Sequence, residues 1–214
     1  MDRTAGSISR KLGNIASLDS RHQARGVGGL PNSSKLDRKM WAEFQDNWSA
    51  MAEKSETAFE AMMGETVQEQ ALPELEQSLG PSEVEQMVKV RRHQTFFRNA
   101  VLSSYENRCA LTGITVPQLL IASHIIPWSQ NENRRADPTN GLCLNALHDK
   151  AFDCHLITFD EDCRLVVSSV LKKGDIQEFH SSNFADLEGT ALAIPHRFAP
   201  DPQALEEHRS AFVD

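Results

Sequence analysis

The sequence lacks the features that mark secreted and membrane proteins. None of its apolar runs approaches the roughly 20 residues that a membrane helix needs, and the first residues form no long apolar segment. The four cysteines are scattered, and no two of them form a Cys-x-x-Cys pair. We therefore predict reduced thiols and no structural zinc site. These absences favour a cytoplasmic protein that does not engage a membrane.

Acidic residues outnumber basic ones, but the two signs are unevenly distributed along the chain. The net charge of the whole chain is −8, made up of +5 over residues 1–39, −10 over 40–86, +5 over 87–135 and −8 over 136–214. The positive charge of residues 87–135 suits phosphate binding. The alternative is an ordinary solvated surface, and charge alone does not decide between the two.

The composition divides the chain into four segments. Residues 1–33 form a basic arm, residues 34–64 a long amphipathic helix, residues 65–86 an acidic linker, and residues 87–214 the main domain. The predicted helix opens on a capping-box-like Ser-Lys-Leu-Asp. Its apolar stripe is typical of packing onto the main domain or onto a second copy, which leaves a homodimer open. The stripe consists of Phe44, Trp48, Met51, Phe59 and Met62.

Several short elements are predicted within the main domain and the arm. The pattern predicts an antiparallel pair of strands joined by a loop, formed by residues 109–113 and 119–128. A short helix over residues 144–152 places His148 on its inward side. The remaining predictions are a capped helix over 3–12, a strand over 87–92, a helix over 95–105, a hairpin from 155–159 and 164–168, and a final helix over 203–212.

His124 is a polar ring in an otherwise apolar strand, and it needs a hydrogen-bonding partner if it is buried. A core histidine bonded to a backbone carbonyl is one interpretation, and a functional histidine is the other. His148, inward on the following helix, could converge with it on a metal ion and a phosphate. Asn140 precedes Gly141, a pair that also suits a tight turn. These residues alone leave both interpretations open.

Three separated motifs together indicate one family. They are Ser-His-Ile-Ile-Pro-Trp at residues 123–128, Asn-Gly-Leu at 140–142 and His-Asp-Lys-Ala-Phe-Asp at 148–153. In order, spacing and flanking residues they resemble the HNH endonucleases. The resemblance implies an α+β protein, in which a helical N-terminal segment precedes a ββα-metal nuclease domain. It also implies hydrolysis of DNA phosphodiester bonds to 5′-phosphate and 3′-hydroxyl ends.

The same resemblance implies roles for individual residues. His124 would be the general base that takes a proton from water, and Asn140 would hold the loop and help to orient it. His148 and Asp153 would bind one divalent ion, expected to be Mg²⁺, with Mn²⁺, Ni²⁺ and Zn²⁺ as alternatives. Asp149 is a further candidate ligand, although a solvated helix charge is the favoured interpretation, and Asp153 could instead cap the end of its helix.

DNA is the expected partner. Four basic residues beside the predicted cleft are candidate phosphate contacts, namely Lys89, Arg91, Arg92 and Arg98. Residues 3–12 resemble the recognition-helix end of a helix-turn-helix-like segment in longer relatives, which makes Arg10 and Lys11 candidate DNA contacts. A frayed basic tail is the alternative.

Ser123 is a departure from the family pattern. Many HNH enzymes carry an acidic residue or a histidine at that position as a second metal ligand. The alternative function is therefore a DNA-binding protein without catalysis, built on a decayed HNH scaffold. The biological setting expected for the enzyme is restriction or defence against foreign DNA.

Overall fold

A computed structural model describes residues 4–24, 26, 33–63, 81–172 and 178–214. The chain forms two compact units, Met1–Met51 and Ala52–Asp214. Helices and two small antiparallel sheets make up the described residues, and the α+β class predicted from the sequence is confirmed. Within the described ranges, no helix has the length and apolarity required to cross a membrane.

Helices build the first unit and begin at residues whose side chains cap them. The unit contains α1 (Ala5–Ala16), α2 (Ser20–Ala24), α3 (Lys35–Asp46) and the start of α4 (Trp48–Met63). Thr4 caps α1, and Ser34 and Asp37 form a capping box at α3, so both predicted helix starts are confirmed. Asn47 is extended, with φ −152° and ψ 91°, and it divides the predicted long helix into α3 and α4.

Beyond residues 52–63 of α4, the described part of the second unit continues with a long helix. This helix, α5, spans Pro81–Ser104 and contains residues 87–92, so the strand predicted there is wrong. Alternation over so few residues does not distinguish the two structures. The buried side chains of His93, Phe97 and Val101 recur every four residues, which is the spacing of a helix. Most of the predicted acidic linker, namely residues 65–80 of 65–86, lies outside the described residues.

The central hairpin pairs strands that are far apart in sequence. Strand β1 (Leu120–His124) pairs antiparallel with β2 (Gly141–Asn145), and His124 lies opposite Gly141. Residues 109–113 form a turn rather than the predicted strand, and Gly113 has a φ of 73°. The turn is joined to β2 by a backbone hydrogen bond from the Ala110 N–H to the Cys143 carbonyl at 2.7 Å and by a side-chain bond from Asn145 to the Thr112 hydroxyl at 3.2 Å.

The helix α6 (Ala146–Asp153) follows β2 directly, so the predicted strand, loop and helix unit is present. The hairpin predicted beyond it is also confirmed. It consists of β3 (Ile157–Phe159) and β4 (Leu165–Val167). The described chain then forms α7 (Glu178–Asn183) and the predicted final helix, α8 (Pro202–Ser210).

Gly141 allows α5 to pack closely against β2. A Cβ atom at this position would lie 2.4 Å from Cγ2 of Val101 and 2.9 Å from Cζ of Phe97. The backbone of Gly141 is extended, with φ −129° and ψ 142°. The sequence suggested that an Asn-Gly pair serves a tight turn, but the glycine is required here by close packing rather than by backbone conformation.

Gly141→Ala is expected to destabilise the second unit by about 1–3 kcal/mol, because the added methyl group overpacks two fully buried side chains. Chemical unfolding followed by circular dichroism measures the change. Gly13→Ala is the control, since nothing lies within 4 Å of a Cβ at that helical position. The control should be neutral or stabilising by up to about 1 kcal/mol. Equal effects of the two substitutions would contradict the packing argument.

Candidate active site

An open cleft of about 500 Å³ lies between β1 and α6. The end of β1 and the loop after it form one wall, and α6 with the residue that follows its cap forms the other. The polar and aromatic side chains that line the cleft are Ser123, His124, Trp128, Asp149, Lys150, Asp153, His155 and His208.

His124 is the last residue of β1, and its ring is held on two sides. The ring stacks on Phe97 with centroids 3.7 Å apart and planes 13° from parallel. Its Nε2 lies 3.0 Å from the backbone carbonyl of Arg135. A carbonyl accepts hydrogen bonds and cannot donate them, so Nε2 carries the proton in the neutral ring. The lone pair is therefore on Nδ1.

Burial lowers the pKa of His124 below its ordinary value, since it disfavours the charged ring. The hydrogen bond to the Arg135 carbonyl and the carboxylate of Asp153 act in the opposite direction and offset part of that effect. The imidazole is consequently neutral near pH 7 with an available nitrogen. That is the state in which a histidine can accept a proton.

Asn140 holds the loop that carries this carbonyl. Its side chain is 1% exposed, and its Oδ1 accepts a hydrogen bond from the Ile126 N–H at 2.8 Å. Its Nδ2 donates to the carbonyl of Ile126 at 3.1 Å and to that of Arg134 at 3.4 Å. Both ends of the loop are thus tied to one amide, directly beside Arg135. This is the geometry that a loop-holding role for Asn140 requires.

Arg135 is a site residue that the sequence did not reveal. Its Nε donates to the carbonyl of Trp128 at 3.0 Å, and its guanidinium lies 5.0 Å from the centre of the Trp128 ring. An ion pair joins it to Glu132 at 3.2 Å. These contacts fix the residue whose carbonyl orients His124. Sequence reasoning counted Arg135 only as a positive charge, and a backbone carbonyl has no sequence signature.

His148 points inward, as its helical position predicted, but it lies outside the residues that line the cleft. The ring is 0% exposed. Its Nδ1 accepts a hydrogen bond from the Asn145 amide at 2.8 Å, and its Nε2 donates to the Asn183 carbonyl at 2.7 Å. Both ring nitrogens are therefore engaged. Metal ligation by His148 would require one of these hydrogen bonds to break.

Asp149 and Asp153 lie one helical turn apart on α6, and both line the cleft. Burial raises the pKa of Asp149, and the nearby carboxylate of Asp153 raises it further. The Ser123 hydroxyl and the charge of Lys150 partly oppose this rise. Asp149 is therefore a half-buried cleft residue, and not the solvated helix charge suggested by the sequence.

The donor set of the cleft fits a hard divalent ion that also binds substrate. In the described part of the chain, no group of three or more His, Cys, Asp or Glu side chains is arranged to hold a metal ion. The two adjacent carboxylates, Asp149 and Asp153, repel each other, and a cation between them would relieve that repulsion. Mg²⁺ commonly binds one or two carboxylates and completes its shell with water and phosphate oxygens.

Most of the basic residues predicted to contact DNA are engaged within the protein. Lys89 pairs with Glu53 at 3.2 Å, and Arg92 makes two hydrogen bonds to Glu60 at 2.7 and 3.2 Å. Arg98 donates to the Leu120 carbonyl at 2.9 Å and thereby ties α5 to β1. Arg91, the fourth of these residues, is half-buried.

Two further basic candidates lie in the first unit. Arg10 is exposed, and its Nε donates to the Gly6 carbonyl at 3.3 Å, while Lys11 pairs with the buried carboxylate of Asp37. DNA contact by any of the six basic residues stays a prediction. Lys150, which sequence reasoning did not select, is exposed and lines the cleft.

Comparison with known proteins gives a family for the segment that carries the cleft. Residues 109–160 match the HNH endonuclease family. A solved structure described as "Modification dependent TagI restriction endonuclease" shares 18% sequence identity, with a TM-score of 0.41. The similarity covers 55% of this chain and 38% of that endonuclease. No curated protein matches the chain.

Stability should fall as the pH is lowered from about 6.5 towards 4. Burial lowers the pKa of His208 from its ordinary 6.5 to about 4, and burial also lowers the pKa of His124 and His148. Below pH 6.5 the unfolded chain therefore binds more protons than the folded one, which favours unfolding. For His208 alone the loss is at most about 3 kcal/mol.

Melting temperatures measured from pH 7.5 to 4.5 check this dependence. His208→Gln should flatten it, because glutamine does not titrate. A melting temperature that stays constant between pH 7 and pH 5 would show that the buried histidines do not control acid stability.

Proposed function

We propose that the chain is a nuclease that hydrolyses DNA phosphodiester bonds, with His124 as the general base and a divalent ion as cofactor; the match of residues 109–160 to the HNH endonuclease family supports this. The observation that supports this most is the state of His124. Its Nε2–H is committed to the Arg135 carbonyl, which leaves the Nδ1 lone pair on the wall of a cleft that also holds two carboxylates. The basic segment 87–135 and the cleft-lining Lys150 favour a polyanionic substrate.

The first step is the removal of a proton from water. Nδ1 of His124 accepts this proton while the resulting hydroxide attacks phosphorus, and the ring becomes an imidazolium. The Arg135 carbonyl continues to accept from Nε2–H, and the carboxylate of Asp153 favours the positive ring. The P–O3′ bond breaks, the leaving 3′ oxygen takes a proton from solvent water, and the products are a 5′-phosphate and a 3′-hydroxyl. Stacking on Phe97 keeps the ring in place throughout.

Asp149 and Asp153 are proposed to hold the divalent ion, which we expect to be Mg²⁺ or Mn²⁺. When bound, such an ion withdraws charge from a phosphate oxygen and stabilises the leaving 3′ oxygen. The two carboxylates are spaced four residues apart on one side of α6, so their helix sets their separation before substrate arrives. Ser123 lines the same cleft and lowers the pKa of Asp149.

Replacing His124 with Ala should reduce the rate of plasmid cleavage about 10²–10⁴-fold, since it removes the positioned base and leaves both carboxylates in place. A cleavage time course in excess Mg²⁺ or Mn²⁺ measures the loss, and a gel-shift assay should show that DNA binding persists. A melting curve of the variant excludes unfolding as the cause. Cleavage at the wild-type rate by a folded variant would overturn the assignment of His124.

A wild-type chain that cleaves no DNA with any divalent ion would instead support the non-catalytic DNA-binding alternative. Restriction or defence against foreign DNA stays a prediction for the biological setting. Plating efficiency of phage on cells with and without the intact gene tests it.

The metal site is tested by comparing acidic and histidine variants. Asp149→Asn and Asp153→Asn should each weaken Mn²⁺ binding at least about tenfold without lowering the melting temperature. His148→Ala should cost about 3 kcal/mol of stability, because it leaves a cavity and strands the Asn183 carbonyl and the Asn145 amide. Its folded fraction should bind Mn²⁺ normally.

Calorimetric titration with Mn²⁺ and thermal melting supply both quantities. Asp162→Asn is the matched control, since Asp162 is exposed on the turn between β3 and β4 and does not line the cleft. The reverse pattern, in which His148→Ala abolishes Mn²⁺ binding and the Asn variants retain it, would assign the ion to His148.

A further inference from the structure

His155 is held in a backbone conformation that residues other than glycine adopt infrequently. It follows α6 with a φ of 55°, in the left-handed region that favours glycine. Its N–H donates to the Phe152 carbonyl at 2.8 Å, and its own carbonyl accepts from the Val213 N–H at 3.0 Å. The chain on both sides therefore imposes this conformation. A side chain other than glycine at such a position costs on the order of 1 kcal/mol or more.

The ring of His155 lines the same cleft as His124 and Lys150. Its Nδ1 is buried and has no hydrogen-bonding partner among the described residues. The neighbouring His208, 4.5 Å away between ring centroids, bonds the Thr158 hydroxyl and the Phe152 carbonyl through its two nitrogens. Of these two adjacent rings, only His155 has a nitrogen to offer. Because Nδ1 is enclosed, that nitrogen is Nε2.

A purely structural histidine would resemble His148 or His208, which use both ring nitrogens in internal hydrogen bonds. His155 makes no such bond and occupies a strained position as well. Strained residues that persist at a cleft commonly serve its function rather than the stability of the fold. No sequence motif singles out His155 as a functional residue.

We propose that His155 contacts the substrate, with its Nε2–H donating a hydrogen bond to a non-bridging oxygen of the nucleic-acid backbone beside the bond that is cut. This rests on the proposed function. The carboxylates of Asp149 and Asp153 repel a phosphate, so the cleft needs donors on its other surfaces. His155 supplies one at the end of the same helix, two residues beyond Asp153. A neutral imidazole is sufficient for this bond.

The test uses the full chain with His155→Gly and His155→Asn. Glycine relieves the backbone strain, so the melting temperature should stay the same or rise, while kcat/KM for plasmid cleavage should fall about tenfold through the loss of one hydrogen bond. Asparagine also tolerates this conformation and keeps an N–H donor, so it should retain part of the lost activity. Asn107→Gly is the matched control, because Asn107 is exposed, uncharged and outside the cleft, with a φ of 53°.

Two results would overturn the proposal. One is wild-type kcat/KM in His155→Gly, and the other is a fall in activity that only follows a fall in melting temperature. Failure of the proposed function is distinguishable, because it appears in the wild type as an absence of cleavage with any divalent ion. In that case equilibrium binding of a short DNA duplex still decides the contact. About tenfold weaker binding by His155→Gly supports it, and equal binding rejects it.

Discussion

One hydrogen bond, from Nε2–H of His124 to the carbonyl of Arg135, determines which ring nitrogen carries the proton and leaves Nδ1 as the acceptor. Without it the ring could carry its proton on either nitrogen, and Nδ1 would not be held in the state that accepts a proton. Asn140 fixes the loop that presents the carbonyl, and Arg135 is itself anchored to Trp128. The motif residue Asn140 thus holds the loop whose Arg135 carbonyl orients the ring of His124.

Helix α5 packs against the ring and the strands that carry this arrangement. Helix α5 supplies Phe97, which stacks on the His124 ring, and Val101, which packs against Gly141 on the neighbouring strand. Arg98 of the same helix binds the Leu120 carbonyl and fixes the start of β1. A residue expected to grip DNA therefore helps to position the strand that carries the base. Packing of α5 on the hairpin and orientation of His124 therefore depend on residues of the same helix.

The sequence predicted the elements of the site better than their arrangement. The motif residues located β1, β2 and α6, and helical periodicity placed His148 inward. Periodicity could not show that the inward side leads to the core rather than to the cleft. Successive helix residues point about 100° apart, so His148 is in the core while Asp149, with Asp153 one turn later, faces the cleft. Contacts made by backbone carbonyls, and the backbone strain at His155, correspond to no sequence pattern and so could not be predicted from the sequence.

The most direct test of the active-site assignment is the position of the divalent ion in a crystal of the His124→Ala variant with Mn²⁺ and a DNA duplex. Anomalous scattering locates the ion without reference to the protein coordinates. The assignment predicts one manganese peak bound by the carboxylates of Asp149 and Asp153 and by a phosphate oxygen, with His148 still bonded to Asn145 and Asn183. A manganese peak on His148, or one that contacts neither carboxylate, would contradict it.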